Sequence, residues 1–500
     1  MAPGALLVMI GYVAAPALAF AALPPGRAPF GRDLLLPQPV PGAPRAATAD
    51  GWRHGRLCDV SHPSYNLRNM TNGTATLQRA IDDCGDLPEG GTVFVPPGMV
   101  VLTGSIWLRS NLTLRVEGTL LGTATGSTAS PASVADAPMV YTRRNSEMVT
   151  AHAGLLNGAR CERMKPHPIG GDDCADWTKL SNVVIEGGGT GTLDGNGDDW
   201  YKVFGQRFPE KKNLRPVLLD LLWVDGLTIR DLRITRPGYW TVKPTFCSNV
   251  VIRNNTIDTW NEYHAGSNTD GVDIDSSWNC WIGFNRFSTG DDCISLKAGR
   301  DWSGRLVNIS TANVLAERNQ IIKGHGVTIG SETAGWIYNV TIRDSAFGGA
   351  DLAVRIKTER GRGGGVEDIL YENLYGRTEG GIQLSANFKP GLPVTNSSAT
   401  PVIRRITLRN ITAYTNGCTG ALISAAPVCA LDCEGLSDSP IEEVPTPPNS
   451  LFVLSIITHS SDKGDLILLG AGNLRWGAGS GATRIKWRDA ALHHVSYLWR

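Results

Sequence analysis

Beyond roughly its first twenty residues the chain has no run of about eighteen apolar residues free of charge, so no transmembrane helix is expected in the mature protein. It also lacks a charge excess. Lys plus Arg is 47 and Asp plus Glu is 47, a balance that gives no support for a broadly basic nucleic-acid-binding surface and leaves room only for a local basic cleft. None of the ten cysteines forms a paired CxxC of the zinc type. Long helical segments between strands are missing, which argues against a β/α barrel. Hairpin turns are few, which argues against the antiparallel blades of a propeller.

What is present starts with glycine, 58 of 500 residues, and with 42% apolar residues, enough for a sizeable core. A chain this long overfills one globular core, but an elongated repeat escapes that limit because each layer packs only on its neighbours. The even cysteine count suits disulfides in an oxidising compartment. Sequons at Asn69, Asn72, Asn111, Asn254, Asn308, Asn339, Asn396 and Asn410 suit an extracellular chain. Ala5–Phe20 is nearly all apolar and ends in small residues; without a basic leading region, it still reads as a signal peptide over residues 1–21. Secretion is the expectation.

The middle of the chain repeats. Ile229, Ile252, Ile282, Ile342, Tyr371 and Leu408 sit in similar short apolar phrases at steps of 23, 30, 60, 29 and 37, with Val314-Leu315-Ala316 filling the doubled step. A second series interleaves: Val272-Asp273-Ile274, Ile294-Ser295-Leu296, Val327-Thr328-Ile329, Arg355-Ile356-Lys357 and Ile382-Gln383-Leu384. Strands this short bury their apolar faces only by stacking as coils about 4.8 Å apart. The expected fold is therefore all-β, a right-handed parallel β-helix. A helix is expected over Ala75–Cys84, with Thr74 as N-cap and Leu77, Ala80, Ile81 and Cys84 on one face, covering the open end of the solenoid. The expected organisation is a poorly structured arm over 22–60, the β-helix over 61–436, and a linker with a C-terminal extension of unknown role over 437–500. Leu451–Ile457 reads as one more strand.

Polar residues fall in register on this ladder. Asn268-Thr269-Asp270 precedes one strand, Gly290-Asp291-Asp292 opens the next, Gly324-His325-Gly326 the one after, and Arg355-Ile356-Lys357 lies in the next. Each has a plain structural reading: an Asp-Gly turn, a surface imidazole, solvent-facing strand cations. In order and at coil spacing they instead form one patch of three carboxylates, an imidazole and two cations. Crowded carboxylates raise at least one pKa, which supplies an acid beside ionised bases, as glycosidic cleavage requires. Consecutive strand residues point to opposite faces, so Asp291 and Asp292 act together only if the chain bends at Gly290.

These motifs resemble those of the polygalacturonases, glycosyl hydrolase family 28. The likeness runs from about Asn72 to Cys433 and includes Gly189–Gly195, Gly330-Ser331-Glu332, Gly361–Gly364 and Tyr371. It implies a pectin-lyase-like solenoid that hydrolyses α-1,4 galacturonosyl linkages with inversion. By motif, Asp291 is the general acid and Asp270 and Asp292 hold and activate the water. His325 supports the acid. Arg355 and Lys357 anchor the substrate carboxylate, and Tyr371 and Asn268 line the same subsite. Lys297, Arg300 and Arg362 are candidates for outer subsites. The implied partner is an anionic pectic polysaccharide in the cell wall, with no cofactor, no metal ion, no nucleic acid and no membrane, and the protein acting as a monomer. A rhamnogalacturonan or xylogalacturonan hydrolase, a calcium-dependent pectate lyase and a non-catalytic wall-binding β-helix remain as alternatives. Lys297–Gly304, with Trp302, is expected to wall one end of the groove, which leans towards exo rather than endo attack.

Overall fold

The computed structural model describes residues 55–123, 136–166, 172–200, 214–259, 267–359, 361–385, 399, 401–415, 453–460, 465–471, 473–476 and 485–488. The expected signal peptide, most of the arm, residues 437–450, Asn396 and Cys418, Cys429 and Cys433 lie outside them. The described residues wind as a right-handed parallel β-helix, a 27-stranded sheet bent into three faces. One coil shows the plan. Val272–Asp275 lies on the first face, Trp278–Gly283 on the second and Arg286–Ser288 on the third. Ile294–Lys297 then returns to pair with Val272–Asp275.

The apolar repeat becomes a ladder of like residues. Val93, Leu114, Ile185, Ile229, Ile252, Ile282, Ala316, Ile342, Tyr371 and Leu408 are successive register partners on the second face. All point inward and are buried. Leu120, Leu193, Ile234, Ile257, Phe287, Ile321 and Phe347 do the same on the third. Each fully buried aliphatic side chain contributes about 1.5–3 kcal/mol. The bend between these faces would strand backbone amides inside the protein. Asn255, Asn285 and Asn319 solve this by stacking: Asn255 N donates to Asn285 Oδ1 at 3.0 Å, and Asn285 N to Asn319 Oδ1 at 3.0 Å.

The capping helix spans Thr74–Cys84 and buries Leu77, Ala80, Ile81 and Cys84. Thr74 is its first residue, not its cap: Gly73 holds that place, and Thr74 Oγ1 instead bonds Asn72 Oδ1 at 2.8 Å and accepts from Gly104 N at 2.8 Å. The end of the expected arm is ordered, because Arg56–Asp59 pairs with the Gly91–Val95 strand and Cys58 is bonded to Cys84. A second disulfide, Cys161–Cys174, ties the hairpin Cys161–Pro166 and Asp172–Trp177. Cys247, Cys280 and Cys293 fill the core as thiols, so the even count does not mean full pairing. At the C-terminal side, Val453–Ser460 pairs in parallel with Val402–Thr415. No helix among the described residues is long and apolar enough to cross a membrane.

Because Ile282 sits mid-ladder between Ile252 and Ala316, truncation leaves a void that neighbouring coils cannot close. Ile282→Ala is expected to lower stability by about 2–5 kcal/mol, measured by denaturant unfolding. A loss below about 1 kcal/mol would mean the ladder is not rigidly packed.

Candidate active site

The first face carries the chemistry. Backbone bonds align three coil mouths: Thr241 N donates to Asp270 O at 2.9 Å, Gly271 N to Asp292 O at 2.9 Å and Cys293 N to Gly326 O at 2.9 Å. Asp270, Asp292 and His325 therefore stand in adjoining coils, although the sequence separates them widely. Asp291 and Asp292 both precede their strand, Ile294–Lys297, so the alternation of a regular strand does not apply to them. The bend is held by Asn268 N donating to Asp291 Oδ2 at 2.9 Å, Asp292 N to Asp291 Oδ1 at 2.9 Å and Thr289 Oγ1 to Asp291 O at 2.7 Å. His325 Nδ1 lies 2.9 Å from Asp291 Oδ1 and 3.6 Å from Asp292 Oδ1, while its Nε2 is 3.3 Å from Asp351 Oδ2.

Asp292 is the hub. It is 1% exposed, accepts from Lys357 Nζ at 2.9 Å and from Thr328 Oγ1 at 2.7 Å, and sits 3.4 Å from Arg355. Thr328 and Arg355 are register partners, and Lys357 lies two residues on, so one face delivers all three. Burial would raise the Asp292 pKa, but Lys357, His325 and Arg355 hold it well below the usual carboxylate range. Asp291 is likewise held low: its contact with His325 outweighs burial. For His325, burial opposes the charge, yet the two aspartates outweigh it and lift the imidazole to about 9.

A neighbouring pair behaves oppositely. Asp270 and Asp273 are 2% and 0% exposed. Neither Asp273 oxygen nor Asp270 Oδ1 accepts a hydrogen bond from another group. Burial, each other's charge and Asp291 push Asp270 well up, and burial pushes Asp273 well up. The two can share a proton. Lys297 Nζ, 3.8 Å from Asp273, is the cation beside them. The site thus pulls its carboxylates in opposite directions, Asp291 and Asp292 down and Asp270 and Asp273 up. Asp291, Asp292 and His325 also present ligand atoms within 4.8 Å of one another. A divalent ion there would have to displace the imidazole proton and face Lys357 and Arg355, so this donor set suits protons better than a metal.

Residues 168–438 match the model for glycosyl hydrolases family 28. The chain belongs to that family. It is 28% identical to a probable polygalacturonase of Vitis vinifera over 314 residues, 62% of this chain and 58% of that one. It is 27% identical to an endo-polygalacturonase of Pectobacterium carotovorum over 319 residues, 61% and 69% of the two chains. The chain thus spans little more than half of the grapevine relative's length. Its fold matches that of a Thermotoga maritima exopolygalacturonase with a TM-score of 0.59 at 22% identity, covering 86% of this chain and 96% of that one.

Within this family 28 site, the structure brings together Asp270, Asp291, Asp292, His325, Arg355 and Lys357, but not all the expected residues. Tyr371 does not line a subsite: it is 0% exposed on the inward ladder, where its register partners are Ile342 and Leu408, and its hydroxyl reaches only Arg355 O at 3.4 Å. Lys297 is buried beneath the site, 3.2 Å from Glu332 and 4.9 Å over the Trp240 ring, and is not an outer anchor. Arg362, 2% exposed, braces Asp301 at 3.1 Å and Glu359 at 3.4 Å. Arg300 stays one-third exposed beside Asp301, at the rim. Asn268, in the left-handed region at φ 64, donates its backbone N–H to Asp291, and its Oδ1 accepts from Arg215 at 3.5 Å. Asp273 went unnoticed in the sequence. Its signal was its outward position in Val272–Asp275, opposite Ser295 in the row that continues through Thr328 to Arg355.

Tyr371→Phe removes one weak contact and should leave kcat and KM within about twofold, whereas Tyr371→Ala should cost about 3–5 kcal/mol of stability. Steady-state kinetics and unfolding together check this. A tenfold rise in KM for Tyr371→Phe would return the residue to the sugar site.

Proposed function

We propose that this hydrolase cleaves α-1,4 galacturonosyl linkages of polygalacturonate with inversion, releasing short products from a chain end. The observation that carries the reading is the clamp of Asp292 between Lys357 and Arg355 beside the Asp291–His325 pair. A uronate carboxylate arriving at Lys357 and Arg355 competes for the charges that hold Asp292 low. Asp292 then becomes the stronger base, and takes a proton from the attacking water. His325 Nδ1, at 2.9 Å, passes its proton to Asp291, which delivers it to the leaving oxygen. Asp270, whose carboxyl is pushed well up by burial and by Asp273, holds and orients the water. The proton lost by water leaves through Asp292, and the imidazole regains its own from solvent. The two disulfides support a secreted, extracellular protein.

The chain-end reading rests on a hairpin. Met139–Arg144 and Glu147–His152 are antiparallel, joined at Asn145 and Ser146, both in the left-handed region. The hairpin lies over the first face on the N-terminal side of the carboxylates. Arg144 meets Asp220 at 2.8 Å, Thr142 Oγ1 donates to Asp220 at 2.7 Å, Arg143 meets Asp275 at 3.3 Å, and Lys243 Nζ donates to Arg143 O. Tyr239 donates to Asn145 Oδ1 at 2.6 Å, and Arg300 N donates to Ser146 O at 3.2 Å. A polymer cannot lie across those coils. The Lys297–Gly304 segment overlaps the Asp301–Val307 helix, and its Arg300 N–H bonds the hairpin at Ser146 O.

Early products from polygalacturonate test the reading. Monomer or one short oligomer with slow viscosity loss is expected, and Asp291→Asn should lose roughly 10²–10⁴-fold in turnover with binding retained. A spread of oligomers would overturn the chain-end mode alone. Release of reducing ends from xylogalacturonan or rhamnogalacturonan but not from polygalacturonate would overturn the substrate.

The His325 assignment gives a pH test. Its folded pKa, about 9, lies above the unfolded value of about 6.5, so its contacts stabilise the fold fully below about pH 6.5 and that contribution is lost as pH rises through about 9. The alkaline limb of kcat/KM should follow the same loss. In His325→Gln the limb should move to lower pH, because a carboxyl alone then stores the proton. An unmoved limb would show that the proton is not drawn from His325.

A further inference from the structure

The hairpin does not end the groove; it divides it. The outward row of the first face begins before the wall, with Trp107 paired to Asn157, Asn157 to Asp220 and Asp220 to Lys243. The hairpin covers Asp220 and Lys243. On its far side lies a cavity of about 950 Å³, whose lining includes Trp107, Arg109, Arg160, Thr178 and Lys179. A smaller recess of about 170 Å³ continues towards the hairpin and shares Trp107 and Arg160. The catalytic mechanism uses none of these residues.

Two cations in this compartment are held in a particular way. The Arg160 guanidinium lies 5.4 Å over the Trp107 ring, and Lys179 Nζ lies 4.4 Å over the Trp223 ring. Both are exposed, and neither has a carboxylate partner among the described residues. Arg109 in the same groove is satisfied by Asp82 at 2.6 Å. Elsewhere on the surface Arg233, Arg236 and Arg343 are likewise paired, with Asp258, Asp194 and Glu317. An arginine stacked on an indole keeps its fork free for a planar anion and has already lost much of its rotamer freedom. The acids of the groove, Asp86 and Glu162, are exposed.

We propose that this compartment is a second, non-catalytic site for an acidic saccharide, with uronate carboxylates meeting Arg160 and Lys179 and a sugar ring lying against Trp107. The proposal rests on the polygalacturonate reading and extends it: the wall that blocks the cleft would leave a separate berth for neighbouring polymer, holding the enzyme on an insoluble substrate.

The probe is tetragalacturonate at millimolar concentration, titrated calorimetrically into full-length Asp291→Asn protein. Two binding events are expected, and one after Arg160→Gln and Lys179→Gln are added. In the active background, the same pair of changes should leave kcat and KM on short oligogalacturonates within about twofold, which also shows that the fold is intact. Adsorption to insoluble polygalacturonate should fall about tenfold, as for loss of charge-assisted contacts. A single binding event that the double variant does not alter would overturn the proposal. So would equal occupancy by maltotetraose, since the site would then not read charge. If the wild-type protein releases no reducing ends from polygalacturonate, the functional reading fails separately, and the titration still decides whether the groove binds uronates.

Discussion

Gly271 N–H bonds to the carbonyl of Asp292, and Cys293 N–H to the carbonyl of Gly326. These ladder bonds are the constraint on which the site depends. Parallel coils about 4.8 Å apart turn a sequence separation of twenty to thirty residues into a side-chain contact. No loop has to close on another to bring Asp270, Asp292 and His325 together. The apolar ladder behind them fixes the register, because a one-residue slip would turn the Ile229–Ile252–Ile282 row outward and the catalytic row inward. Catalytic precision and core packing are thus one property of this fold.

Placing so many charges on one buried face would cost more than it returned if they were unpaired. The arrangement avoids this by alternating signs between coils. Asp292 faces Lys357 and Arg355, and Asp273 and Glu332 share Lys297. What is left over is negative: Asp270 and Asp273 crowd a space with too few donors, and a proton is the cheapest remedy. Environment alone therefore shifts identical side chains in opposite directions, Asp291 and Asp292 down and Asp270 and Asp273 up.

The repeat and its motifs were legible because both depend on residue type at fixed spacing. Ile229, Ile252, Ile282, Ile342, Tyr371 and Leu408 occupy the register positions that their sequence steps implied, with Ala316 in the doubled step. The same fact contradicts a role for Tyr371 at the sugar: a residue in the inward row cannot also face the cleft. Motif likeness and periodicity gave incompatible answers there, and periodicity had the stronger physical basis. Lys297, Arg300 and Arg362 looked alike in sequence, but depth separates them, since only Arg300 keeps a third of its side chain in solvent. The hairpin stayed hidden for another reason. Its turn is Asn145-Ser146, a weaker signal than Asn-Gly, and its strands break alternation with two consecutive arginines, Arg143 and Arg144, that read as surface and are buried.

Those arginines explain how a short hairpin can be a rigid wall. Two strands alone are marginal in water, and an apolar hairpin would find little to hold on the polar outward face of this sheet. Arg144 on Asp220 and Arg143 on Asp275, with Lys243 donating to the hairpin backbone, bolt it to the ladder through the charges that the face already carries. Those charges are then no longer open to a polymer. Lys243 shows the consequence: burial beneath the wall lowers its pKa to about 8 and puts it out of a polymer's reach. In an open cleft the outward side chains of Asp220, Lys243 and Asp275 would be free to floor additional subsites. Here those side chains hold the wall, and the proposed substrate contacts lie on the coils that carry Asp270, Asp291, Asp292, His325, Arg355 and Lys357. The proposed attack at a chain end rests on how the charges of the floor are used: Asp220, Lys243 and Asp275 hold the hairpin.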